Sequence, residues 1–514
     1  MKTFRKYFIE FFGVALSVIL IYSIGMSFGL LVRKTDFTSQ CVIFSCGLIS
    51  AGMYILVYYG LSNKNEAHLN PIITLAKMFS LDTKFSEGIL HIVSQIAGAI
   101  VGSCFVGALF KISGKLDQSK VHYLSEVSPE YSRGYMLPTL DGLKYTDKPI
   151  VCAVVMEIVI SFIMVLVVLS VTNKKNRKKY AGVVVGMAIA LAYFQSILLT
   201  RSFANPAMVI GSIIMNLISG TMYDANNLWI FLGMPFIGAV LAAIVYNLFI
   251  HSVRKRNAIE AFGAECIAMI IYVALAANCI MQFTHYSSFR LYLGTNATIA
   301  SYIVIGLICA ILYICLYHIF ESITDVQLNP IVSIALWIDK KISFLKAFTN
   351  IIAQLIGAIL GINILYRFRV EYIGLNDGTT NWTCECMEEM EYGALANIVS
   401  NWKIALVFEM FLAAVLIAFV LHAYKNMNQV KSLFIGMAIA MVYFIDSLFN
   451  IMTVNPAKSI ASVILNQQKK MLMSKNVLED LWIFVVGPIV GAVLVAVVHR
   501  ILEKRRKGGV TNEE

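Results

Sequence analysis

The chain has 514 residues, 59% of them hydrophobic and 14% charged, with a net charge of +11. A water-soluble domain of that length cannot hide so much apolar surface, so composition excludes an ordinary soluble fold. The positive balance is no signal for nucleic acid either, because the basic residues gather in short loops between apolar runs.

The first apolar run, 8–32, has no small-residue cleavage pattern after it, and we read it as a membrane helix and not a removed signal peptide. Further runs follow at 38–61, 88–111, 151–171, 181–200, 228–250, 259–281, 297–320, 346–366, 402–423, 432–449 and 481–502. Each is long enough to cross a bilayer as a helix, which predicts twelve spans. The basic clusters lie at Lys2, Arg5 and Lys6; at Lys174, Lys175, Arg177, Lys178 and Lys179; at Arg254, Lys255 and Arg256; and at Arg500, Lys504, Arg505, Arg506 and Lys507. Even numbers of spans separate them, so they share one side. The positive-inside rule makes that side, and both termini, cytoplasmic. The opposite side carries the two longest loops, 112–149 and 367–400. The second is acidic, with Glu385, Glu388, Glu389 and Glu391. Of ten cysteines, only Cys384 and Cys386 share that loop. A pair so closely spaced makes no easy mutual bridge, and metal binding there is weakly signalled against two unremarkable thiols. The glycosylation sequons at Asn296 and Asn381 both fall in predicted outer loops.

The chain repeats itself. HLNPIITLA (68–76) recurs as QLNPIVSIA (327–335), and SQIAGAIVG (94–102) as AQLIGAILG (353–361). GMAIALAYF (186–194) recurs as GMAIAMVYF (436–444), and LWIFLGMPFIGAVLAAIVY (228–246) as LWIFVVGPIVGAVLVAVVH (481–499). Two copies of a six-helix unit are therefore expected, 1–252 and 253–514. Each unit repeats internally: a first span with a glutamate (Glu10, Glu265), two more spans, then a fourth with a glutamate (Glu157, Glu409). Three spans per half is odd, so the halves are inverted. Inverted repeats with broken helices are a transport architecture, with the site at mid-membrane.

An Asn-Pro pair follows the second and fifth span of each unit. Asparagine caps helix starts, and proline favours the first helical position, where its missing N–H is not needed. The apolar runs after each pair (IITLAKMF, AMVIGSIIMN, IVSIALWI, AKSIASVIL) are too short to span. Irregular backbone at membrane depth survives only where protein buries it or water lines it. Two half-helices entering from opposite faces would meet N-terminus to N-terminus. Their cap oxygens would hold their own helices, and their amide groups would point into a lumen. Such donors and two positive dipole ends suit a neutral solute offering an oxygen, and disfavour cations and protons.

At these residues each half resembles the aquaporin, or major intrinsic protein, family. The family's Asn-Pro-Ala boxes match Asn70-Pro71-Ile72 and Asn205-Pro206-Ala207 in the first unit, and Asn329-Pro330-Ile331 and Asn455-Pro456-Ala457 in the second. The third-span Gln95 and Gln354 and the sixth-span Pro235 and Pro488 are also family-like. The resemblance implies an all-α membrane protein of two aquaporin-like units, each six membrane helices plus two re-entrant half-helices. It implies that Glu10, Glu157, Glu265 and Glu409 accept hydrogen bonds from the broken-helix loops; the alternative for buried carboxylates is a proton relay. Glycines 98, 102, 233, 238, 357, 361, 487 and 491 are read as close helix packing. The selectivity constriction, placed by spacing, falls at Leu48, Tyr193, Ser202 and Met208 in unit one, and at Leu307, Tyr443, Met452 and Lys458 in unit two. Met208 and Lys458 stand where the family has arginine, Ile72 and Ile331 where it has alanine, and the isoleucines are expected to narrow the middle of each pore. Lys458 has a candidate counter-charge in Asp446, one helical turn beyond Tyr443.

The expected function is a passive channel for water or small neutral solutes such as glycerol, urea or ammonia. The alternatives are a non-conducting relative kept for adhesion or assembly, and a twelve-helix secondary transporter. No nucleophile–base set, phosphate loop or metal spacing suggests an enzyme or a cofactor. The expected partners are the lipid bilayer, the solutes, and a second chain completing a four-unit assembly; nucleic acid is not among them. A plasma membrane location is expected over an internal one.

Overall fold

The structure, a computed structural model, describes residues 2–31, 37–62, 67–112, 138, 140, 148–173, 178–200, 202–219, 226–250, 257–285, 295–368, 402–448, 454–468 and 476–510, with some side chains near these limits left aside. The expectations placed on Met452, on the Cys384–Cys386 pair, on the Asn381 sequon and on most of the two long loops lie outside them.

The described residues form helices, and the chain divides into two compact units, Met1–Val253 and Arg254–Glu514. Unit one contains α1 (Lys2–Leu31), α2 (Phe37–Leu56), α3 (Pro71–Phe79), α4 (Phe85–Ile112), α5 (Pro149–Thr172), α6 (Ala181–Thr200), α7 (Pro206–Ser219) and α8 (Leu228–Val245). Unit two repeats the order with α9 (Ala258–His285), α10 (Thr295–Phe320), α11 (Pro330–Ile338), α12 (Phe344–Arg367), α13 (Trp402–Asn426), α14 (Lys431–Leu448), α15 (Pro456–Gln468) and α16 (Asn476–Val510). Eight helical stretches among the described residues are long and apolar enough to cross a membrane. α1, α2, α6 and α14 occupy the other four expected positions. The molecule is an all-α membrane protein. One local expectation changes: the Asn296 sequon lies in the first turn of α10 and not in a loop.

Packing displays the inverted repeat. In unit one α1 packs on α4, α5 on α8, and α2 on α6, so the second three spans repeat the pairing of the first three. The half-helices cross over: α3, from the first half, lies against α8, and α7, from the second, against α4. Unit two pairs α9 with α12, α13 with α16 and α10 with α14, and crosses α11 to α16 and α15 to α12. Side chains do not separate these helices at their closest points. A methyl group added at Gly98 would sit 2.2 Å from the Phe11 carbonyl oxygen, and one at Gly491 would sit 2.0 Å from that of Met410. Six of the eight glycines read as close helix packing (98, 102, 238, 357, 361 and 491) face a neighbouring backbone oxygen in this way, and Gly487 faces Glu409. Gly233 is the exception and corrects the expectation: nothing lies within 4 Å of its absent side chain.

The half-helices start where the sequence says they should. Pro71 is the first residue of α3, and Asn70 before it is extended, with φ −153° and ψ 126°. Asn329 caps α11 with nearly the same angles, −154° and 125°. α3 and α11 have nine residues each. At 1.5 Å per residue that is about 13 Å, a little under half of a ~30 Å hydrocarbon layer.

Candidate functional site

In each unit the two half-helices meet N-terminus to N-terminus and are tied by their own asparagines. In unit one the Asn70 side-chain oxygen accepts from the Ile72 backbone N–H at 3.1 Å, and its amide donates to the Ala204 carbonyl at 2.9 Å. Asn205 mirrors it, accepting from the Ala207 N–H at 3.1 Å and donating to the Leu69 carbonyl at 3.1 Å. Unit two repeats the cross: Asn329 accepts from Ile331 and donates to Val454, and Asn455 accepts from Ala457 and donates to Leu328. The carbonyls are presented by a left-handed residue just before each asparagine: Leu69 (φ 54°), Ala204 (46°), Leu328 (55°) and Val454 (25°). Non-glycine residues rarely adopt this conformation. Here the strain turns each carbonyl toward the opposite box. The cross-brace uses one N–H of each amide and leaves the other free to act as a donor at the meeting point.

The carboxylates of the first span hold the loops leading into the first boxes. Glu10 accepts from the His68 and Leu69 backbone N–H groups at 2.6 and 2.7 Å, from Gln95 at 2.7 Å and from the His91 ring at 3.1 Å. Glu265 accepts from Gln327 (3.0 Å), Leu328 (2.8 Å) and Gln354 (2.8 Å). In the second halves Glu157 accepts from the hydroxyls of Ser202 (2.8 Å) and Thr200 (3.4 Å), and Glu409 is wholly buried. The ligating atoms of Glu10, His68 and His91 lie within 4.8 Å of one another. Four N–H donors already occupy the Glu10 oxygens, so this cluster is a hydrogen-bond network, not a ready metal cage.

A narrow cavity opens at the crossed asparagines of each unit. In unit one it measures about 30 Å³, taken to the centre of a water-sized sphere, and its walls include His68, Asn70, Asn205, Tyr193, Phe203 and Met208. In unit two it measures about 20 Å³, with Gln327, Asn329, Asn455, Tyr272, Tyr443 and Val332 among its walls. At about 10–15 Å³ for one water, the cavity of unit one has room for about two or three and that of unit two for one or two.

The predicted constriction residues divide. Tyr193 and Met208 line the cavity of unit one, and Tyr443 that of unit two. Lys458 sits beside it, its ammonium 5.5 Å from the centre of the Tyr443 ring; Asp446 is wholly buried on the same helix as Tyr443. Four placements are corrected. Leu48 is 45% exposed and off the cavity; Ser50, two residues on, is on the wall instead. Ser202 turns its hydroxyl to Glu157, and the wall position goes to Phe203, whose ring centre is 5.4 Å from that of Tyr193. Ile72 and Ile331 are wholly buried and absent from the walls, so they do not narrow these cavities. Leu307 is half-buried and also absent from the wall.

Some contributors had no clear sequence signal. The Tyr22 hydroxyl, from α1, donates to the Met208 carbonyl at 2.6 Å and pairs with Ser212 at 2.7 Å. The Gln327 side-chain oxygen accepts from the Ser333 hydroxyl (2.5 Å) and the Asn350 amide (3.0 Å), which leaves its buried NH2 without a hydrogen-bond partner among the described residues, on the wall of the unit-two cavity. The repeat offered the only hint, since His68 and His91 of unit one align with Gln327 and Asn350.

Broken helices crossed inside a six-helix membrane unit, with paired amide donors at a water-sized cavity, define a transmembrane channel fold. The sequence comparison makes the assignment: the description "Major intrinsic protein" matches residues 1–246 and again 252–499, and the chain belongs to that family as a tandem pair. The family consists of transport proteins and not enzymes. Similar proteins include aquaporin PIP1-1 of Musa acuminata, 28% identical over 212 residues that cover 40% of this chain and 66% of the relative. The probable aquaporin PIP2-2 of Oryza sativa subsp. japonica is 24% identical over 258 residues, covering 49% and 84%. Among solved structures, the aquaglyceroporin from Plasmodium falciparum aligns at 21% identity and a TM-score of 0.39, over 48% of this chain and 97% of that one.

Proposed function

We propose that each unit is a passive, single-file channel for water and small neutral solutes, two per chain. The observation that carries this is the crossed pair of asparagines, with a donor left on each, at a cavity with room for about one to three waters. A solute oxygen passing the centre takes a hydrogen bond from each amide in turn. The two facing helix N-termini place positive potential there and oppose cations and proton relay.

The units differ in their walls, and we assign them different solutes. Phe203 and Met208 give unit one an apolar stretch of wall without fixed charge, suited to larger or less polar solutes such as glycerol, urea or ammonia. Lys458 keeps a charge beside unit two, but as a point charge without the planar fork of arginine. A tyrosine is common to both walls (Tyr193 and Tyr443) and His68 of unit one stands where unit two has Gln327, so the charge is what sets unit two apart, and it suits water. Two chains would supply a four-unit assembly, with both termini cytoplasmic and the plasma membrane as the site.

Purified protein reconstituted in liposomes tests this by stopped-flow shrinkage in sucrose and swelling in a glycerol gradient. Water or glycerol flux above empty liposomes is expected. Met208→Arg should lower glycerol flux, and Lys458→Ala should alter water flux. Well-folded protein that passes neither solute would overturn the channel reading in favour of a non-conducting relative. Flux that saturates and follows an ion gradient would favour a transporter.

A further inference from the structure

We propose that unit two carries a binding site for the headgroup of an anionic phospholipid, at the membrane-surface end of α11. The site is an open cavity of about 670 Å³ between the end of α11, the start of α12 and the last third of α16, lined by Trp337, Lys340, Lys341, Ser343, Phe344 and Arg500 among others.

The local chemistry points to an anion. Lys340 and Lys341 are exposed, and among the described residues neither ammonium has a side-chain partner. Arg500 is half-buried and anchored through the Ile338 carbonyl at 2.6 Å, which fixes one edge of its guanidinium beside the cavity. The nearby carboxylates are engaged elsewhere: Asp339 is turned inward to the His499 ring at 3.0 Å, and Asp325 pairs with Lys346 at 2.7 Å. Three cations therefore face the cavity without a neutralising acid in its wall.

The backbone holds the lysines where they are. α11 ends with the Lys341 N–H bonded to the Leu336 carbonyl and the Lys340 N–H to that of Trp337, with Lys340 left-handed at φ 59°. This is a Schellman ending, where glycine is the usual residue. Unit one makes the same ending, with Asp82 bonded to Lys77, Leu81 to Met78, and Leu81 at φ 61°. Asn247 there donates to the Phe79 carbonyl, as Arg500 does to Ile338. The fold therefore needs neither lysine nor the arginine, because unit one makes the same turn with Leu81, Asp82 and Asn247. The three positive charges of unit two are an addition to it.

The surroundings select a lipid over a free anion. Trp337, Phe344, Leu345 and Phe348 expose 41%, 62%, 69% and 52% of their surface around the cations. Tryptophan sits at the headgroup level of a bilayer, the exposed phenylalanines and leucine suit its acyl region, and basic pockets between membrane helices hold anionic headgroups. A phosphate held by Lys340, Lys341 and Arg500 would have its acyl chains beside Phe344 and Phe348.

The test uses the full chain in neutral detergent at low salt, with dioctanoyl phosphatidylserine, dioctanoyl phosphatidylcholine and inorganic phosphate as separate probes, read by calorimetry. Saturable binding of the serine lipid is expected, at least about ten-fold tighter than the choline lipid or phosphate. Each lysine near an anionic surface contributes roughly five-fold, so Lys340→Gln with Lys341→Gln should weaken it about 25-fold. A control double variant on another basic loop, Lys178→Gln with Lys179→Gln, should leave it within about two-fold. Equal losses in both variants would reduce the effect to general surface charge and overturn the site. No preference for the serine lipid over the choline lipid would also overturn it. Phosphate binding as tightly as the lipid would replace the lipid with a free anion. None of these readouts depends on flux, so the site and the channel reading fail separately.

Discussion

Glu10→Gln and Glu265→Gln are the same change at equivalent positions, and the structure makes them unequal. Around Glu10 the donors are split between the two oxygens: His68 N–H and the His91 ring on one, Leu69 N–H and the Gln95 amide on the other. A glutamine there must aim its NH2 at one of these pairs. Turned to the first, the His91 ring can move its proton and accept, but the His68 N–H is stranded. Turned to the second, Gln95 can flip, but the Leu69 N–H is stranded. Around Glu265 the three shorter bonds, 2.8–3.0 Å, all reach one oxygen, and the other receives only a 3.2 Å second branch from Gln327. A glutamine there keeps its oxygen on the busy side and strands no backbone N–H. Loss of charge is common to both variants. The difference is one buried backbone N–H without a partner, worth about 1–3 kcal/mol. For units of this size it corresponds to about 2–12 °C in unfolding midpoint. Thermal unfolding in detergent, followed by loss of the folded peak in size-exclusion chromatography, should rank Glu10→Gln below Glu265→Gln. An equal midpoint, or a lower one for Glu265→Gln, would refute the division of donors on which the argument rests.

Gly491→Ala would place a methyl 2.0 Å from the Met410 carbonyl and force α13 from α16, with an expected cost of about 3 kcal/mol or more. Gly233→Ala has nothing within 4 Å and should be neutral or stabilise by about 0.5–1 kcal/mol; the same melting assay compares them. Asp446→Asn tests whether this buried carboxylate, on the helix of Tyr443, holds Lys458 over the tyrosine ring. We expect a loss of about 1–3 kcal/mol and a changed water-to-glycerol flux ratio; an unchanged ratio and midpoint would remove the pairing.

The sequence by itself determined the class, the two units, the inverted halves and the starts of the half-helices. These are consequences of chain-local chemistry. Apolar length makes a span, repeated strings make a repeat, and Asn-Pro caps a helix whatever lies around it. It also named the asparagines that meet and the glutamates that brace them, because the repeat put each at the same place four times or twice over. Only the tertiary structure decided which side chains face the cavity. A helical position turns by about 100° per residue, so placing a wall residue by spacing fails with an error of one or two positions. That is how Leu48 gave way to Ser50; Ser202 and Phe203 lie in irregular backbone before α7, where no helical period applies and the bond to Glu157 turns Ser202 away from the wall. The glycines divide for the same reason: Gly238 and Gly491, at matching places in the repeat, each meet a neighbouring helix's backbone oxygen, whereas Gly233, five residues earlier on the same helix as Gly238, faces empty space. The crossed amide bonds join residues more than a hundred positions apart, as does the tie of Tyr22 to Met208. No local pattern records such a distance. The three cations of unit two also come together only when the end of α16 folds back onto the turn after α11.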